Sequence, residues 1–282
     1  MRIETTVKGM QQLALREKRS GRKIGLVPTM GFLHAGHMSL VALARTRADL
    51  VVLSIFVNPT QFLPGEDLAS YPRDIERDKD LCIEAGVDHL FYPDDSEMYA
   101  ADYSVFVEEM ALSKVLCGAS RPGHFRGVTS VVAKLFNIVM PDIAVFGQKD
   151  AQQCRVIQRM VRDLNMPVEI VLGPIIREPD GLAMSSRNKY LSRNERPRAL
   201  CLRRSLDAAE AMVKEGARSV ADIKAGVLAV IAAVPEARID YVEFVDNETL
   251  VPVSRIQRPV LLALAVRIGG TRLIDNTVLA SP

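Results

Sequence analysis

Short apolar segments alternate with stretches of helical periodicity along the first half of the chain. Segments 23–28 (KIGLVP) and 49–57 (DLVVLSIFV) are rich in β-branched residues and almost free of polar ones, which is typical of buried parallel strands. Between them, segment 37–47 carries its apolar residues at helical spacing. This order predicts a βαβ unit, in which the carboxyl ends of parallel strands meet at one edge of a sheet.

The same alternation continues to about residue 175. The predicted elements are a helix capped by Ser70 that ends at Glu84, a strand at 87–93, a helix at 128–139, a strand at 142–147, a helix from Asp150 to about Leu164 and a strand at 167–176. We therefore predict an α/β domain over residues 1–175, with a Rossmann-like, doubly wound parallel sheet that binds ligands at the carboxyl edge of its strands.

The pattern changes after about residue 175. Segment 177–192 is loop-like, with a turn at Pro179–Gly181. Helices are predicted next at 194–214 and 220–232, and strands at 238–246, 260–269 and 271–279. Helices followed by strands indicate a smaller α+β domain over residues 176–282.

Composition narrows the range of functions. The chain has 282 residues, of which 48% are hydrophobic and 25% charged, as in ordinary globular proteins. Lys and Arg number 36 and Asp and Glu 34, so the net charge is +2 and no nucleic acid or anionic membrane is expected as a partner. There is no apolar run of about 18 residues and no apolar secretory segment, so we expect a cytoplasmic protein without a membrane span. The four cysteines are far apart, which favours reduced, buried thiols.

Two of the four histidines, His34 and His37, lie three residues apart between glycines and shortly after a predicted strand. Gly31 and Gly36 let the backbone approach a ligand closely, and the start of the following helix offers N–H groups and a positive dipole. Residues at i and i+3 share one helix face, so both imidazoles can donate hydrogen bonds to charge that develops on a phosphate. The pattern predicts phosphate binding.

A zinc site and a purely structural role are the alternatives for the histidine pair. The remaining histidines, His89 and His124, are distant in sequence and no cysteine is nearby, so zinc ligation is poorly supported. A single histidine would more often be structural. The glycine-flanked pair at a strand–helix junction favours a functional role.

A His-x-Gly-His segment after a strand resembles the signature of the nucleotidyltransferase superfamily. Five longer motifs resemble, in the expected order, the pantothenate synthetase (pantoate–β-alanine ligase) family: VPTMGFLHAGHMSLV from Val27, SIFVNPTQF from Ser54, RPGHFRGVTSVVAKLFNIV from Arg121, DIAVFGQKDAQQ from Asp142 and DGLAMSSRNKYLS from Asp180. The segment RLIDN at 272–276 also fits. The resemblance is therefore spread over most of the chain.

The resemblance implies a two-step ligase that uses ATP. The carboxylate of (R)-pantoate attacks the α-phosphate, which gives pantoyl-adenylate and pyrophosphate, and the amine of β-alanine then displaces AMP to give pantothenate, a coenzyme A precursor. Such an enzyme has to position its substrates and neutralise charge more than supply a covalent nucleophile. The resemblance also implies that Mg²⁺ is carried mainly by the ATP phosphates and that the protein is a homodimer.

Site residues follow from the same resemblance. His37, His34 and Lys149 are the predicted catalytic residues. The predicted ATP-binding residues are Met30, Gly31, Phe32, Leu33, His34, Ala35, Gly36, His37, Gly147, Gln148, Lys149, Asp150, Ile176, Met184, Ser185, Ser186 and Arg187. Gln61 and Gln153 are predicted to bind pantoate or β-alanine through their amides. Because the Ser-Ser-Arg segment resembles a mobile loop, the domain 176–282 is expected to form a lid over the nucleotide- and pantoate-binding domain.

Some assignments stay open on the sequence alone. Residues that could equally line the site or serve the fold are Tyr71, Arg121, His124 and Arg126. Asn58 is expected to brace its loop. Asp78 or Asp150 could assist Mg²⁺, although neither is predicted as a ligand.

Three other functions compete with the ligase. A nucleotidylyltransferase, which transfers AMP or CMP to a phosphorylated acceptor, would share the fold and needs no amine substrate. A class I aminoacyl-tRNA synthetase is disfavoured because the chain has no basic excess and only a small C-terminal part. A nucleotide-binding module without catalysis would have little use for both histidines, Lys149 and the Ser-Ser-Arg loop.

Overall fold

The computed structural model describes residues 1–280, which form two compact units. The first comprises Met1–Ser113, Arg121–Gln148 and Gln153–Pro174, and the second comprises Lys114–Ser120, Lys149–Gln152 and the chain from Ile175 onward. Sequence periodicity assigned all of residues 1–175 to one domain. The two short segments belong instead to the second unit, where side-chain hydrogen bonds tie them to each other and to its sheet. The lid predicted for 176–282 stays a prediction.

The first unit is built on a parallel sheet with the strand order β1-β4-β3-β2-β5-β6. Its strands are β1 (Arg2–Glu4), β2 (Ile24–Thr29), β3 (Leu50–Ile55), β4 (His89–Phe91), β5 (Ile143–Gly147) and β6 (Glu169–Gly173). From β2 the chain proceeds to β3 and β4 on one side and later continues with β5 and β6 on the other. The switch point, where α/β folds bind ligands, is therefore the carboxyl end of β2 and β5.

Helices cover both faces of this sheet, which confirms the predicted doubly wound fold. The helices of both units are, in chain order, α1 (Val7–Arg19), α2 (Ala35–Arg45), α3 (Ile75–Glu84), α4 (Asp95–Met98), α5 (Cys117–Ser120), α6 (His124–Val139), α7 (Ala151–Asp163), α8 (Glu195–Arg198), α9 (Cys201–Lys214) and α10 (Val220–Ala232). Helices α2 and α3 pack on one face around a core that includes Val27, Val41 and Leu53, and α1 and α6 pack together on the other.

Helix α3 begins later than the sequence predicted. Ser70 does not cap it, and Asp74 does, because the Asp74 carboxylate accepts a hydrogen bond from the N–H of Arg77. Pro72 explains the difference, since a proline disfavours helical backbone in the residue before it, here Tyr71. The start of α3 at Ile75 brings Asp78 into its first turn.

The second unit contains an antiparallel sheet with the order β7-β8-β9, and this confirms the predicted α+β character. Its strands are β7 (Ala237–Asp246), β8 (Val260–Ile268) and β9 (Thr271–Leu279). Helices α9 and α10 pack on the sheet, and β8 is buried almost throughout. The helix predicted at 194–214 is divided into α8 and α9, because the hydrogen bonds between them tighten to three-residue spacing, as from Leu200 N–H to the Pro197 carbonyl.

Candidate active site

The loop between β2 and α2 stands at the switch point of the parallel sheet, and residues 30–37 are called the histidine loop below. Gly31 has φ +82° and Phe32 has φ 49°, so two consecutive residues adopt the left-handed conformation. A Cβ atom on Gly31 would lie 2.9 Å from Cγ2 of Ile55. The turn therefore requires glycine at this position, both for its φ and for its contact with β3.

The carboxylate of Asp78, on helix α3, binds the backbone of the histidine loop. The carboxylate of this buried residue accepts hydrogen bonds from the N–H groups of Phe32 and Leu33, each at 2.7 Å. Burial raises the pKa of Asp78, and the two N–H groups act in the opposite direction because they favour the ionised form. Both carboxylate oxygens are thus engaged with the backbone, and Asp78 braces the loop.

The two histidines cap helix α2 reciprocally. His34 is the N-cap residue, and its Nδ1 accepts a hydrogen bond from the Gly36 N–H at 3.1 Å. His37 Nδ1 accepts in turn from the His34 N–H at 3.2 Å. The ring centroids are 4.0 Å apart, with an angle of 35° between the ring planes. This arrangement is a capping box made by imidazoles, and it fixes the orientation of both rings.

The capping bonds also determine the tautomer of each ring. An Nδ1 that accepts a hydrogen bond carries no proton, so the N–H of a neutral imidazole lies on Nε2 in both residues. Two ring N–H donors therefore sit side by side at the N-terminus of α2. Helix N-termini favour anions, and adjacent donors there can stabilise charge that builds up on a phosphate.

Gln61 lies beside the histidine loop. Its Nε2 approaches Sδ of Met30 at 3.2 Å, and its Oε1 accepts a hydrogen bond from Nδ2 of Asn58 at 3.0 Å. Asn58 is 1% exposed, and its Oδ1 accepts from the hydroxyls of Thr60 and Tyr99. These contacts confirm the expectation that Asn58 braces its own loop, the one after β3 that carries Gln61.

Gly127 on α6 packs directly against the loop that carries Gln61. A Cβ atom there would lie 2.4 Å from the carbonyl oxygen of Thr60 and 2.6 Å from the nitrogen of Gln61. The Gly127 carbonyl also accepts a hydrogen bond from Asn58 Nδ2 at 3.2 Å. Glycine is therefore needed for the helix to approach Gln61 this closely.

Arg121 and His124 form a structural network around Gln61. Arg121 donates two hydrogen bonds of 2.6 Å to the Glu66 carboxylate and one of 3.1 Å to Nε2 of His124. Since that nitrogen must accept, the His124 proton lies on Nδ1, which donates to the Gln61 carbonyl at 2.8 Å. Burial raises the pKa of Glu66, but the bonds from Arg121 and the Leu63 N–H outweigh it and hold the pKa below its usual value.

The remaining open residues of the first unit, Arg126 and Tyr71, pack against aromatic side chains. The Arg126 guanidinium stacks on Phe106 at 4.7 Å, and Tyr71 is buried against Phe62.

Leu33 is fully buried in the core, so its predicted contribution to ATP binding can come only from the backbone.

A cavity of about 980 Å³ opens next to the histidine loop at the carboxyl end of the sheet. Met30, Gly31 and Phe32 line it on one side, together with apolar residues that follow β3. A cavity of this size accommodates a small organic substrate. Neither His34 nor His37 is among the described residues that line this cavity.

Further predicted residues of the first unit lie at the second strand of the switch point. Gly147 ends β5 with Gln148 next to it, and the Gly147 carbonyl accepts a hydrogen bond from Cys154 Sγ at 3.3 Å. Among the described residues, a Cβ atom on Gly147 would come within 4 Å of Leu40 alone, at 3.9 Å, so packing there does not require this glycine. Gln153 is half-buried in the first turn of α7.

Lys149 and Asp150 belong to the second unit, in a short 3-10 turn before α7. Their charged groups lie 3.7 Å apart, and the Lys149 carbonyl accepts a hydrogen bond from Nδ2 of Asn276 at 2.9 Å. Strand β9 thus holds the backbone of Lys149, whose side chain is predicted to contact phosphate.

The Ser-Ser-Arg segment follows a small hairpin of the second unit. The N–H of Met184 donates to the Ile176 carbonyl at 2.9 Å, so these two predicted adenine contacts are neighbours. Ser185 caps the 3-10 turn Ser186–Tyr190, and its Oγ accepts from the Arg187 N–H at 3.3 Å. An accepting hydroxyl still has its own proton to donate.

Sequence reasoning missed the supporting roles of three residues: it considered Asp78 only as an aid to Mg²⁺, and it did not single out Gly127 or Asn276. Asp78, Gly127 and Asn276 each act on a predicted site residue that is distant in sequence, and no local pattern marks such a pair. Their residue types gave a weak signal, since an Asp in a first helical turn or a Gly within a helix occurs for many reasons.

No metal cluster or membrane span is found within residues 1–280. In that part of the chain no group of three or more His, Cys, Asp or Glu side chains could hold a metal ion. Among its helices, none combines the length and the apolar character needed to cross a bilayer.

A parallel sheet with a His-x-Gly-His loop at its switch point defines the class of the protein as an α/β fold of the kind that binds ligands at the carboxyl ends of its strands. Residues 2–278 match the family model described as pantoate-beta-alanine ligase. The chain belongs to the pantoate-beta-alanine ligase family.

Individual relatives agree with this membership. The chain is 58% identical over 279 residues to a pantothenate synthetase of Geobacter sulfurreducens, and the match covers 99% of each chain. A crystal structure of pantothenate synthetase from Thermus thermophilus aligns with a TM-score of 0.95 at 47% identity, over 99% of this chain and 100% of that one. A pantoate-beta-alanine ligase from Francisella tularensis, solved with beta-gamma ATP and beta-alanine, aligns with a TM-score of 0.82 at 32% identity, over 99% and 97% of the two chains.

Proposed function

We propose that the protein joins (R)-pantoate and β-alanine to form pantothenate, with ATP converted to AMP and pyrophosphate. The observation that carries this proposal is the histidine pair at the switch point, whose capping bonds leave the N–H of each neutral ring on Nε2, in a loop that Gln61 contacts at Met30. Family membership and the ATP and β-alanine bound by the Francisella relative support the choice of substrates.

The first step forms an acyl phosphate bond. A carboxylate oxygen of pantoate attacks the α-phosphorus of ATP, and the bond from that phosphorus to the bridging oxygen of pyrophosphate breaks. Negative charge grows on the α- and β-phosphate oxygens during this displacement. His34 and His37 stabilise it through their Nε2–H groups, with Lys149 as a further cation. Gln61 and Gln153 orient pantoate, because amides bind a carboxylate or hydroxyl without a competing charge.

The second step is an acyl transfer. The uncharged amine of β-alanine attacks the carbonyl carbon of pantoyl-adenylate, the bond from that carbon to the AMP oxygen breaks, and the amine loses a proton. AMP is a good leaving group, so the reaction needs close positioning more than a strong base. Exclusion of water protects the adenylate from hydrolysis.

The remaining predicted contacts belong to ATP. Ser185, Ser186 and Arg187 are proposed to bind its β- and γ-phosphates, and Ile176 and Met184 to pack near the adenine. Gly147, Gln148 and Asp150 complete the proposed nucleotide contacts. Mg²⁺ is proposed to arrive bound to the ATP phosphates. The Asp78 carboxylate, which accepts two backbone N–H groups, is not proposed as a ligand. The homodimer and the cytoplasmic location likewise remain proposals that depend on the family resemblance.

The decisive experiment measures AMP release from ATP and Mg²⁺ with pantoate, with and without β-alanine. We expect AMP release to require both substrates and to equal pantothenate formation. AMP or CMP transfer to a phosphorylated acceptor, without any need for β-alanine, would favour a nucleotidylyltransferase instead.

A further inference from the structure

Two adjacent residues in the middle of β9, Asp275 and Asn276, are buried although both are polar. Asp275 is 2% exposed and Asn276 is 4% exposed. Burial of a carboxylate and an amide is costly unless each is hydrogen-bonded, so their partners indicate what they are for. Successive side chains of a strand point to opposite faces of the sheet, and the two residues accordingly reach two different segments of the chain.

Asn276 reaches the segment Lys149–Gln152. Its Nδ2 donates a hydrogen bond to the Lys149 carbonyl at 2.9 Å, across 127 residues of sequence. The segment is fixed further on, because Gln152 accepts from the Cys117 N–H at 2.9 Å and donates to the Val115 carbonyl at 2.6 Å. The backbone that carries Lys149 is therefore held by the second unit at both of its ends.

Asp275 reaches the hairpin that precedes the Ser-Ser-Arg segment. Its carboxylate forms a two-point ion pair with Arg177, at 2.7 and 3.0 Å, and Arg177 also donates to the Gly181 carbonyl at 3.1 Å. Arg177 pairs with Ala183 across the hairpin, one residue before Met184. A two-point guanidinium–carboxylate pair restricts rotation as well as distance, so it fixes the Arg177 guanidinium, and with it the Gly181 carbonyl of the hairpin, against β9.

We propose that Asp275 and Asn276 are positioning residues for the ATP phosphates. Asn276 orients Lys149 through its carbonyl, and Asp275 orients Ser185, Ser186 and Arg187 through Arg177. One rigid strand thereby sets the spacing between two phosphate-contacting segments that lie far apart in sequence. This inference rests on the proposed function, since it takes from that function the ATP contacts of Lys149 and of the Ser-Ser-Arg segment.

The test compares Asn276→Ala and Asp275→Asn with a matched control. Asp246→Asn is suitable, because Asp246 is also a buried sheet carboxylate of the second unit, 6% exposed and paired with Arg258 at 3.0 Å. The readouts are the Kd of a non-hydrolysable ATP analogue, the KM for ATP and for pantoate, and the melting temperature. We expect each β9 variant to weaken binding of the analogue by about tenfold while the KM for pantoate stays within about twofold. The control should leave both unchanged, whatever its effect on melting.

Coupling to Lys149 separates positioning from general destabilisation. In a Lys149→Ala background, Asn276→Ala should have no further effect on the Kd of the analogue, whereas Asp275→Asn should still weaken binding because it acts on the other segment. An Asn276 effect of undiminished size in that background would overturn the proposal, and so would wild-type ATP affinity in both β9 variants. If Asn276→Ala does not fold, Asn276→Leu keeps a similar shape, removes the N–H donor without adding a charge and gives the same comparison.

The two hypotheses fail in different ways. A wild-type protein that binds the ATP analogue but makes no pantothenate would contradict the proposed function, and the Asn276 coupling could still be measured. A protein that makes pantothenate with unaltered ATP affinity in the variants would contradict only the role of β9.

Discussion

The backbone N–H of His34 donates a hydrogen bond to Nδ1 of His37 at 3.2 Å, so the two predicted catalytic residues also hold each other. The return bond from the Gly36 N–H to Nδ1 of His34 completes the cap of α2. Each imidazole thus uses Nδ1 for the fold and carries its N–H donor on Nε2. The capping role of Nδ1 can therefore be separated from the donor role of Nε2 by a substitution that keeps the cap and removes the ring N–H.

Asn at position 34 should keep the helix cap and lose the ring donor. Asparagine is among the best N-cap residues. We therefore expect the free energy of unfolding of His34→Asn to lie within about 0.5 kcal/mol of the wild-type value, whereas that of His34→Ala should be lower by about 1 kcal/mol. Adenylate formation should fall by about 10²–10³-fold in both variants, because both lose a donor that faces the phosphates. Urea unfolding and pantoate-dependent ATP–pyrophosphate exchange measure the two effects. Near-full exchange activity in His34→Asn would mean that the ring serves only as a cap.

Replacement of Asp78 by Asn should loosen the histidine loop. The amide can accept only one of the two backbone N–H groups that the carboxylate accepts now, and its own NH₂ would face the other. We expect a loss of about 1–3 kcal/mol in the free energy of unfolding and at least about tenfold slower adenylate formation. Asp80→Asn, an exposed residue on the same helix, is the matched control and should change neither quantity. Equal activity of the two variants would show that the loop holds its shape without Asp78.

Gly127→Ala should disturb Gln61 through a steric effect alone. The new methyl group would meet the Thr60 carbonyl at 2.4 Å, so either α6 or the loop at 59–61 must move. We expect a loss of about 1–3 kcal/mol in stability and a higher KM for pantoate, with a smaller change in the KM for ATP. Gly270→Ala is the control, since in the described part of the chain no atom beyond its two neighbours lies within 4 Å of a Cβ atom there. An unchanged KM for pantoate in Gly127→Ala would remove Gln61 from the pantoate site.

Sequence patterns predicted the elements whose signals are local. The β-branched runs at β2 and β3 and the long strands of the second unit are visible within a few residues each, and the structure confirms them. Strand β1 has three residues, too few to show a period, and it went unpredicted together with α1. Helix α1 did carry a signal, because Met10, Leu13 and Ala14 are buried at helical spacing behind the cap of Thr6.

The candidate site divides in the same way. The histidine pair could be read from its spacing and its glycines, since both act within one helical turn. The supports could not, because Asp78 lies 45 residues from Leu33 and Asn276 lies 127 residues from Lys149. Such contacts depend on strand order, which one sequence does not specify when several crossovers would satisfy the same hydrophobic pattern.

His89 should make the protein less stable in mild acid. It is 8% exposed in β4, and within residues 1–280 its Nδ1 has no hydrogen-bond partner. Burial lowers its pKa most; Asp88 and Glu4 oppose this by raising the pKa, whereas Arg2 and Arg16 lower it further. The unfolded chain binds a proton near the ordinary value of 6.5 while the folded chain does not, so this histidine costs stability as the pH falls through that value.

His89→Leu removes both the proton site and the buried polar atom. Above about pH 7.5 the variant should match or exceed wild type by up to about 1 kcal/mol, since no unpartnered nitrogen remains buried. Its advantage should grow as the pH falls from about 7 to about 5.5, because only the wild-type chain then gains a proton on unfolding. Urea unfolding of both proteins across this range measures the difference, in which the shared carboxylates cancel. A constant difference between the two proteins at every pH would mean that His89 titrates alike in the folded and unfolded chains.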